Sequence, residues 1–248
     1  MEISAGVIYV SVLEYDSIPY TIKVSARARR VTLRIQPGLG LVVSIPKRFA
    51  KRDVPQVLAE HDAWIRASLQ QMEEEIPLAY RQWPPQTLDL KAIGETWRLH
   101  LGQMSARIDG TQSPEMDLYL TEDPNDRTAV AGAIAKLLKR RARQVLPAWV
   151  ERLAAPNELS VARVSIRGQR TVWGSYSSSG TLSLNYKLLF LPERYVDYVL
   201  LHELAHTKFL DHSAEFWQFL FSLDADAERL DATMNDVTQT VPPWLELA

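Results

Sequence analysis

The chain has 248 residues, of which 46% are hydrophobic and 23% are charged, a composition typical of a globular protein with a buried core. The net charge of −2 gives no overall attraction to nucleic acid or anionic membranes. The absence of cysteine excludes disulfides, iron–sulfur clusters, thiolate metal sites and a cysteine nucleophile, so any metal must bind to His, Asp or Glu. No apolar run approaches a membrane span of roughly 18 residues, and the start of the chain lacks the basic region of a signal peptide. We therefore expect a cytoplasmic protein.

The first half of the chain is predicted to be rich in β-strands. Three segments, Ile18–Ser25, Val31–Ile35 and Leu41–Ile45, consist of alternating or β-branched residues. This pattern predicts an antiparallel meander with one buried face. We assign residues 1–122 to a β-rich N-terminal region.

A helix is predicted to interrupt these strands. Asp53 is a suitable N-cap for it, and its apolar stripe continues to about Glu75. Strands are expected to resume at Glu95–Leu101 and Asp117–Leu120.

A long helix is predicted next, from Asp123 as N-cap to about Ala155, with Pro147 inside it as a kink or division. One face of this helix is basic. A solvated surface is the favoured interpretation, and the alternative is an anchor for nucleic acid or an acidic partner, with weak and salt-dependent binding. The basic residues are Lys136, Lys139, Arg140, Arg141 and Arg143.

The segment before the histidine-rich region is predicted to be β-structure. Ser160–Arg167 alternates as a strand, and Arg170–Tyr186 resembles a hairpin whose second arm is Thr181–Asn185. Pro192 is expected to begin a helix, and Ser213 is a natural N-cap for the following one.

The stretch HELAH is the first motif in the chain that indicates a metal site. His202 and His206 stand four residues apart on the predicted helix, so their imidazoles lie about 40° apart around its axis. Two imidazoles at this spacing can bind one Zn²⁺, and Glu203 beside them can act on a metal-bound water.

A longer run of residues then resembles a known family. The segment WGSYSSSGTLSLNYKLLFLPERYVDYVLLHELAHTKFLDHSAEFW is similar to the YgjP-like metallopeptidase domain family, relatives of the SprT-like and WLM zinc proteases. The N-terminal SIPK, the helix segment DAWI and the strand GETWRLHL also resemble that family, so the likeness covers most of the chain. Tyr176 departs from the pattern, because the family usually has cysteine after WGS.

The resemblance implies a site and a fold. His202, His206 and His212 would be the zinc ligands, and Glu203 would be the catalytic acid and base. The fold would be α+β, with residues 123–248 forming a zincin-like metallopeptidase domain that contains the HExxH helix. Three further residues would shape the cleft or contact substrate: Trp173, Ser175 and Asn185. For Trp173, a packing role is at least an equal alternative to substrate contact, and for Asn185 the orientation of a loop is an equal alternative.

The third ligand has an alternative in the sequence. The spacing from His206 to His212 matches the metzincin motif, but Phe209 stands where that motif has a turn glycine. Glu228 could instead be the third ligand in a gluzincin arrangement. His212 can bind only if the helix ends first, and we expect that break around Phe209–Asp211, where no glycine is present.

The sequence thus predicts a zinc-dependent metallopeptidase that hydrolyses peptide bonds in a peptide or protein by Glu-assisted attack of zinc-bound water. By resemblance to zincin-type proteases, the strand Thr181–Asn185 would border the cleft and pair with an extended substrate. The alternative is a non-catalytic, zinc-containing module that binds nucleic acid or nucleoprotein. No membrane partner is expected, and the oligomeric state is not predicted.

Overall fold

The structure is a computed structural model that describes residues 9–26, 28–36, 40–75, 82–109, 115–169 and 172–248. It is a mixed α and β protein whose β-rich N-terminal half precedes most of the helices, as the sequence predicts at that level. The chain divides into two compact units, residues 1–81 and residues 82–246. The boundary predicted after residue 122 falls inside the second unit, and the assignment of a metallopeptidase domain to residues 123–248 stays a prediction.

The strands are β1 Tyr9–Tyr15, β2 Ile18–Ser25, β3 Thr32–Gln36, β4 Gly40–Pro46, β5 Thr87–Leu90, β6 Glu95–His100, β7 Arg107–Asp109, β8 Glu115–Tyr119, β9 Arg163–Arg167, β10 Gly174–Tyr176 and β11 Thr181–Asn185. The α-helices are α1 Val54–Glu60, α2 Asp62–Glu75, α3 Arg127–Ala154, α4 Glu193–Ala205, α5 Ala214–Leu223 and α6 Ala227–Thr238. Short 3₁₀ turns include Lys51–Asp53, Lys91–Ile93, Ala155–Asn157, Tyr186–Phe190 and Pro243–Leu247. No helix in the described part of the chain is long and apolar enough to cross a membrane.

The sheet of the first unit has the order β1-β2-β4-β3. Strands β1 and β2 are antiparallel, as are β3 and β4, but β2 and β4 are parallel neighbours. The prediction of an antiparallel meander was therefore wrong for this central pair. The reason lies in the side chains: β4 is buried on both faces, with Val42 and Val43 at most 3% exposed, whereas Arg34 on β3 is exposed. A strand that is apolar on both faces is stable only in the interior of a sheet.

The helix predicted from Asp53 to Glu75 is two helices. Asp53 ends a 3₁₀ turn and makes no capping hydrogen bond through its side chain. The helical path is interrupted at His61, whose backbone leaves the α-helical region and whose ring nitrogen Nδ1 lies 2.9 Å from the carbonyl oxygen of Val57.

Two sheets belong to the second unit. One has the order β5-β6-β8-β7, and the other has the order β10-β11-β9. The sequence predicted β6 and β8 but not their partners β5 and β7, which are four and three residues long. Strands this short carry too few alternations to be recognised by periodicity.

The long helix α3 packs against β9 and the Tyr186–Phe190 turn. It begins at Arg127 with Asp126 as its N-cap, three residues later than predicted, because the Asp126 side chain accepts a hydrogen bond from the Ala129 amide at 2.9 Å. The helix continues through Pro147, so of the two predicted outcomes the division does not occur, and a kink stays a prediction. Buried side chains on both sides of this proline, Leu146 and Trp149 among them, hold the helix against the core.

Arg141 of α3 does not belong to the exposed basic face. Its guanidinium pairs with the carboxylate of Glu95, a side chain that is 11% exposed, with Nε 3.0 and 3.2 Å from the two oxygens. The indole nitrogen of Trp97 donates a further hydrogen bond to Glu95 at 3.1 Å. Arg141 therefore has a structural partner. The exposed basic residues are Lys136, Arg140 and Arg143, whereas Lys139 is half-buried with its ammonium 5.1 Å from the centroid of the Tyr186 ring.

Removal of the Arg141 cation should destabilise the second unit. Arg141→Met leaves the buried Glu95 carboxylate without its counter-ion, and we expect the free energy of unfolding to fall by about 3 kcal/mol, toward the lower end for a buried pair because Arg141 is partly exposed. Urea unfolding measures this loss. The double variant Glu95→Gln/Arg141→Met should recover part of it, and an equal loss in both proteins would contradict this account of the pair.

Candidate metal centre

The helix α4 positions the HELAH residues. Pro192 precedes its first residue as predicted, and its buried side chains include Val196, Leu200 and Leu204. His202 and Glu203 lie in its last turn, while His206 is the C-cap just beyond it. The packed apolar stripe makes this helix end a rigid support for the two histidines and the glutamate.

The chain leaves the helical path directly after His206. The amide nitrogens of Thr207 and Phe209 bond to the carbonyls of Leu204 and Ala205 at 3.0 and 3.1 Å, which closes the last turn. The break therefore comes earlier than the predicted Phe209–Asp211. No residue from 206 to 213 has a positive φ, so the turn needs no glycine.

Ser213 caps the next helix, as predicted. Its side chain accepts a hydrogen bond from the Phe216 amide at 3.4 Å, and α5 begins at Ala214. The segment between α4 and α5 is short, and it brings His212 back toward the end of α4.

The structure brings the three predicted histidines together. One ligand nitrogen from each of His202, His206 and His212 lies within 4.8 Å of the others, and the Nε2 atoms of His202 and His212 are 3.0 Å apart. Two nitrogens bound at the Zn–N distance of about 2.0–2.1 Å can be at most about 4.2 Å apart, so His202 and His212 already have ligand spacing and the triad needs only a small side-chain movement to close around one ion. Within the described part of the chain, this triad is the one group of three side chains with metal-ligating spacing, and Glu228 is not part of it.

The backbone fixes the orientation of His206. Its Nδ1–H donates to the carbonyl oxygen of Phe209 at 2.9 Å. Since the carbonyl can only accept, Nδ1 carries the proton and Nε2 has the free lone pair that a metal needs. The turn after α4 thus also selects the ligand atom.

Phe216 holds the three imidazoles together. Its ring is completely buried, with centroids 5.0, 4.6 and 4.8 Å from the rings of His202, His206 and His212. Trp217 is half-buried, and its ring lies 6.3 Å from that of His212.

Burial sets the protonation of this cluster. It lowers the pKa of His202 to about 4, with smaller contributions from the charges of His206 and His212. Burial also lowers the pKa of His206. These two imidazoles are therefore neutral at neutral pH, which is the form that binds metal. Burial raises the pKa of Glu203 to about 7, so its carboxyl group exchanges protons near neutrality.

Two buried polar atoms at this site have no hydrogen-bond partner in the described residues: Nδ1 of His202 and Oε2 of Glu203. Buried polar atoms in proteins are nearly always paired with protein, water or a ligand. Together with the convergent nitrogens of the three histidines, these atoms fit a metal ion with a water molecule or substrate beside it. The donor set of three histidines suits zinc among the divalent metals.

Gly174 on β10 makes room for Glu203. A Cβ atom at this position would lie 2.6 Å from Cγ, 2.7 Å from Oε1 and 2.8 Å from Cδ of Glu203. The glycine of the WGS segment is therefore explained by close approach of β10 to the glutamate. Tyr176, two residues further, has its side chain on the same face of the strand and borders the cleft.

The strand at the edge of the sheet beside the cleft is not the one that the sequence predicts. Strand β11, Thr181–Asn185, pairs with β10 on one side and with β9 on the other. The prediction that this strand offers a free edge to substrate was wrong. The hairpin pattern in the sequence does not indicate that β9 pairs with β11 in parallel. In the described structure, β10 is the strand that borders the cleft and has an uncovered edge.

The three residues proposed to contact substrate occupy different environments. Trp173 is half-buried and lines the cleft. Ser175 also lines it, but strand alternation places its side chain on the opposite face from Gly174 and Glu203. The amide of Asn185 is used inside the protein: Nδ2 donates to the carbonyls of Gln169 and Val172 at 2.8 and 3.1 Å. These bonds favour the loop-holding role for Asn185.

Sequence reasoning did not find several cleft residues, among them two polar ones, Tyr198 and Asp231. Tyr198 stands one helical turn before His202, a spacing that could have indicated it. Asp231 reaches the cleft from α6, and no local pattern indicates this. The hydroxyl of Tyr198 donates to Oδ1 of Asp231 at 2.6 Å.

Comparison with protein families identifies the chain. The model of the YgjP-like metallopeptidase domain matches residues 29–237, which is most of the sequence. The chain belongs to this metallopeptidase family. The match includes β10, α4, α5 and all three histidines, so the cleft described above lies within the family domain.

Other comparisons add little. No curated protein matches the chain. Among solved structures, the crystal structure of the metallopeptidase zymogen of Pyrococcus abyssi abylysin is 22% identical and covers 42% of this chain and 95% of that chain, with a TM-score of 0.30. A likeness at this level carries no argument about the present fold.

The close packing of Gly174 against Glu203 is testable. Gly174→Ala should push the Glu203 carboxylate away from its position, because the added methyl group meets three atoms of that side chain below 3.0 Å. We expect a folded protein whose peptide hydrolysis falls by about 100-fold, the scale of a lost acid–base group. Peptidase assays and thermal unfolding measure the two effects.

Gly132→Ala on α3 is the matched control. A Cβ atom there meets nothing within 4 Å, and alanine is the better helix former by about 1 kcal/mol. This variant should be at least as stable as the parent and equally active. Full activity in Gly174→Ala would contradict the proposed need for space at Glu203.

Proposed function

We propose that this chain is a zinc-dependent peptidase in which His202, His206 and His212 hold the metal and Glu203 is the general acid and base. The observation that supports this most is the convergence of three imidazole nitrogens beside a buried glutamate, with β10 packed against it. The substrate would be a peptide or a protein, in keeping with the metallopeptidase family.

The residues fit the chemistry of zinc-dependent hydrolysis. When bound, Zn²⁺ supplies Lewis-acid chemistry, polarising a carbonyl and making water nucleophilic at neutral pH. Neutral His202 and His206 supply two lone pairs, and His212 supplies the third from the start of α5. Phe216 excludes solvent from behind the three rings.

Glu203 moves protons in this proposal. Its Oε2 atom is buried and has no partner among the described residues, so it is available to accept a proton from the attacking water. The same oxygen then donates that proton to the leaving amine nitrogen. A pKa of about 7, raised by burial, allows both transfers near neutral pH.

Strand β10 would hold the substrate backbone. Trp173 accepts a hydrogen bond from the Asn185 amide at 2.8 Å, and the Ser177 amide donates to Thr181 at 3.0 Å. Antiparallel strands alternate in this respect, so the N–H and C=O groups of Gly174 and Tyr176 point to the uncovered edge. An extended peptide could pair with these groups next to Glu203.

A second candidate is a zinc-containing module that binds nucleic acid or nucleoprotein without turnover. The observation that favours it is the stripe on α3 formed by Lys136, Lys139, Arg140 and Arg143, which make no ion pairs in the described structure. The intact Glu203 and the glycine that accommodates it favour the enzyme, because a purely structural zinc site needs neither.

Metal binding is the first test. The purified chain should hold one zinc ion. His212→Ala should lower the affinity for zinc sharply, and the double variant His202→Ala/His206→Ala should abolish stoichiometric binding, because each substitution removes a ligand of the triad. Metal analysis and competition with a chelator provide the measurements. His61→Ala and Glu228→Ala are controls outside the triad and should bind zinc normally. A loss of zinc in Glu228→Ala but not in His212→Ala would move the third ligand to Glu228.

The catalytic role of Glu203 is the second test. Glu203→Gln keeps the size of the side chain but removes the proton acceptor, so hydrolysis should fall by at least about 100-fold while zinc stays bound. Turnover of a quenched peptide and zinc content are measured on the same sample.

The outcome of these measurements distinguishes the two candidate functions. Equal turnover by Glu203→Gln and the parent would remove Glu203 from the mechanism. Zinc-loaded parent protein that cleaves no peptide but binds duplex DNA through Arg140 and Arg143 would favour the binding module.

A further inference from the structure

The cleft beside the histidines contains one carboxylate that the proposed chemistry does not use. The cleft has a volume of about 400 Å³, and its lining contains no lysine or arginine among the described residues. Apart from Glu203, the acidic side chain that lines it is Asp231 of α6. Beside a metal ion, which would bring its own positive charge, Asp231 is therefore the negative group of the described lining that the proposed chemistry leaves free to attract a cation.

Asp231 is held in place but not neutralised. Its Oδ1 accepts the hydrogen bond from the hydroxyl of Tyr198 at 2.6 Å. Burial, followed by the hydrogen bond to Asp231, raises the pKa of Tyr198, so this hydroxyl stays protonated and remains a donor. Asp231 is exposed, and no ion pair joins it to a described lysine or arginine. A fixed carboxylate at a cleft wall thus lacks a cationic partner in the described protein.

Besides the Tyr198 hydroxyl and the His202 imidazole, on which Asp231 acts electrostatically, the cleft near Asp231 offers apolar surface. Met234 lies three residues later on α6 and therefore on the same face of that helix. Tyr198 and Val199 of α4 line the opposite side of this part of the cleft. A side chain that enters between the two helices meets apolar surface along its length and a carboxylate.

This combination fits one class of side chain. Lysine and arginine have an apolar stem and a terminal cation, and they bury the stem where the charged end can reach water or an anion. A charge-assisted hydrogen bond from their N–H groups to a carboxylate is about twice as strong as a neutral one. Aspartate or glutamate in the same place would face Asp231 with a like charge.

We propose that Asp231, with Tyr198, Val199 and Met234, forms a subsite that selects substrates carrying lysine or arginine close to the scissile bond. This inference rests on the proposed peptidase function and names a substrate class for it.

The test uses peptides that differ at one position. The zinc-loaded full chain is assayed with peptide sets in which each position around the cleaved bond is in turn Lys, Arg, Leu or Glu. At one position, kcat/KM should be at least about tenfold higher for Lys and Arg than for Leu, the low end for a hydrogen bond to a charged group. Glu at that position should be the poorest substrate.

Three variants assign the preference to Asp231. Asp231→Asn keeps an acceptor for the Tyr198 hydroxyl but removes the charge, so the ratio of kcat/KM for Lys over Leu should fall to within about twofold of unity. Met234→Lys adds a cation on the same helix face and should shift the preference toward Glu. Asp236→Asn, an exposed position of α6 outside the cleft lining, should retain the parent's ratio.

A binding measurement separates this inference from the proposed function. The Lys and Leu peptides are titrated into zinc-loaded Glu203→Gln, with and without Asp231→Asn, and the ratio of Kd values is compared. Failure of the parent to cleave any peptide would overturn the peptidase proposal, whereas an Asp231-dependent Kd ratio would still support the subsite. A Lys preference that survives Asp231→Asn, or no preference in either assay, would overturn the subsite.

Discussion

The site depends on the end of one helix. If α4 continued past His206, residue 212 would lie about 240° around the axis from His206, away from the other two histidines. The helix ends at Ala205 instead, and the carbonyl of Phe209 in the following turn binds Nδ1 of His206. Ser213 then starts α5, and Phe216 packs against all three imidazoles. One backbone turn therefore returns the third histidine and orients the second.

The sequence predicted the parts of the site that depend on local geometry. The spacing of His202 and His206 follows from the helical repeat, and Ser213 is a capping residue by its chemistry. The presence of a break before His212 was predicted from the same repeat, but its position was placed too late. The break contains no glycine, and a closing turn with negative φ throughout is sufficient.

The features that were mispredicted depend on partners far away in the chain. The hairpin of β10 and β11 is visible in the sequence, but only the parallel pairing of β11 with β9 decides which arm is the edge. In the first unit, β4 lies beside β2 although β3 intervenes along the chain. Arg141 looked like its basic neighbours, and its pairing with Glu95, 46 residues earlier, separates it from them. Helical and strand periodicities describe faces, and they contain no information about which distant segment covers a face.

The arrangement around Glu203 is costly unless a ligand completes it. The carboxyl group is 7% exposed, Gly174 leaves space only for its present position, and one of its oxygens has no partner among the described residues. An unpaired buried polar atom costs on the order of 1–3 kcal/mol, and a leucine or methionine would fill the same volume without that cost. The histidine triad has the same property, since burial disfavours the charged form of His202 and leaves its Nδ1 unpaired. Reactive centres commonly contain residues that lower the stability of the fold. The surrounding structure holds these residues in position at that cost. The packing of α4, α5 and β10 therefore holds side chains that lower the stability of the fold, which is consistent with the role proposed for Glu203.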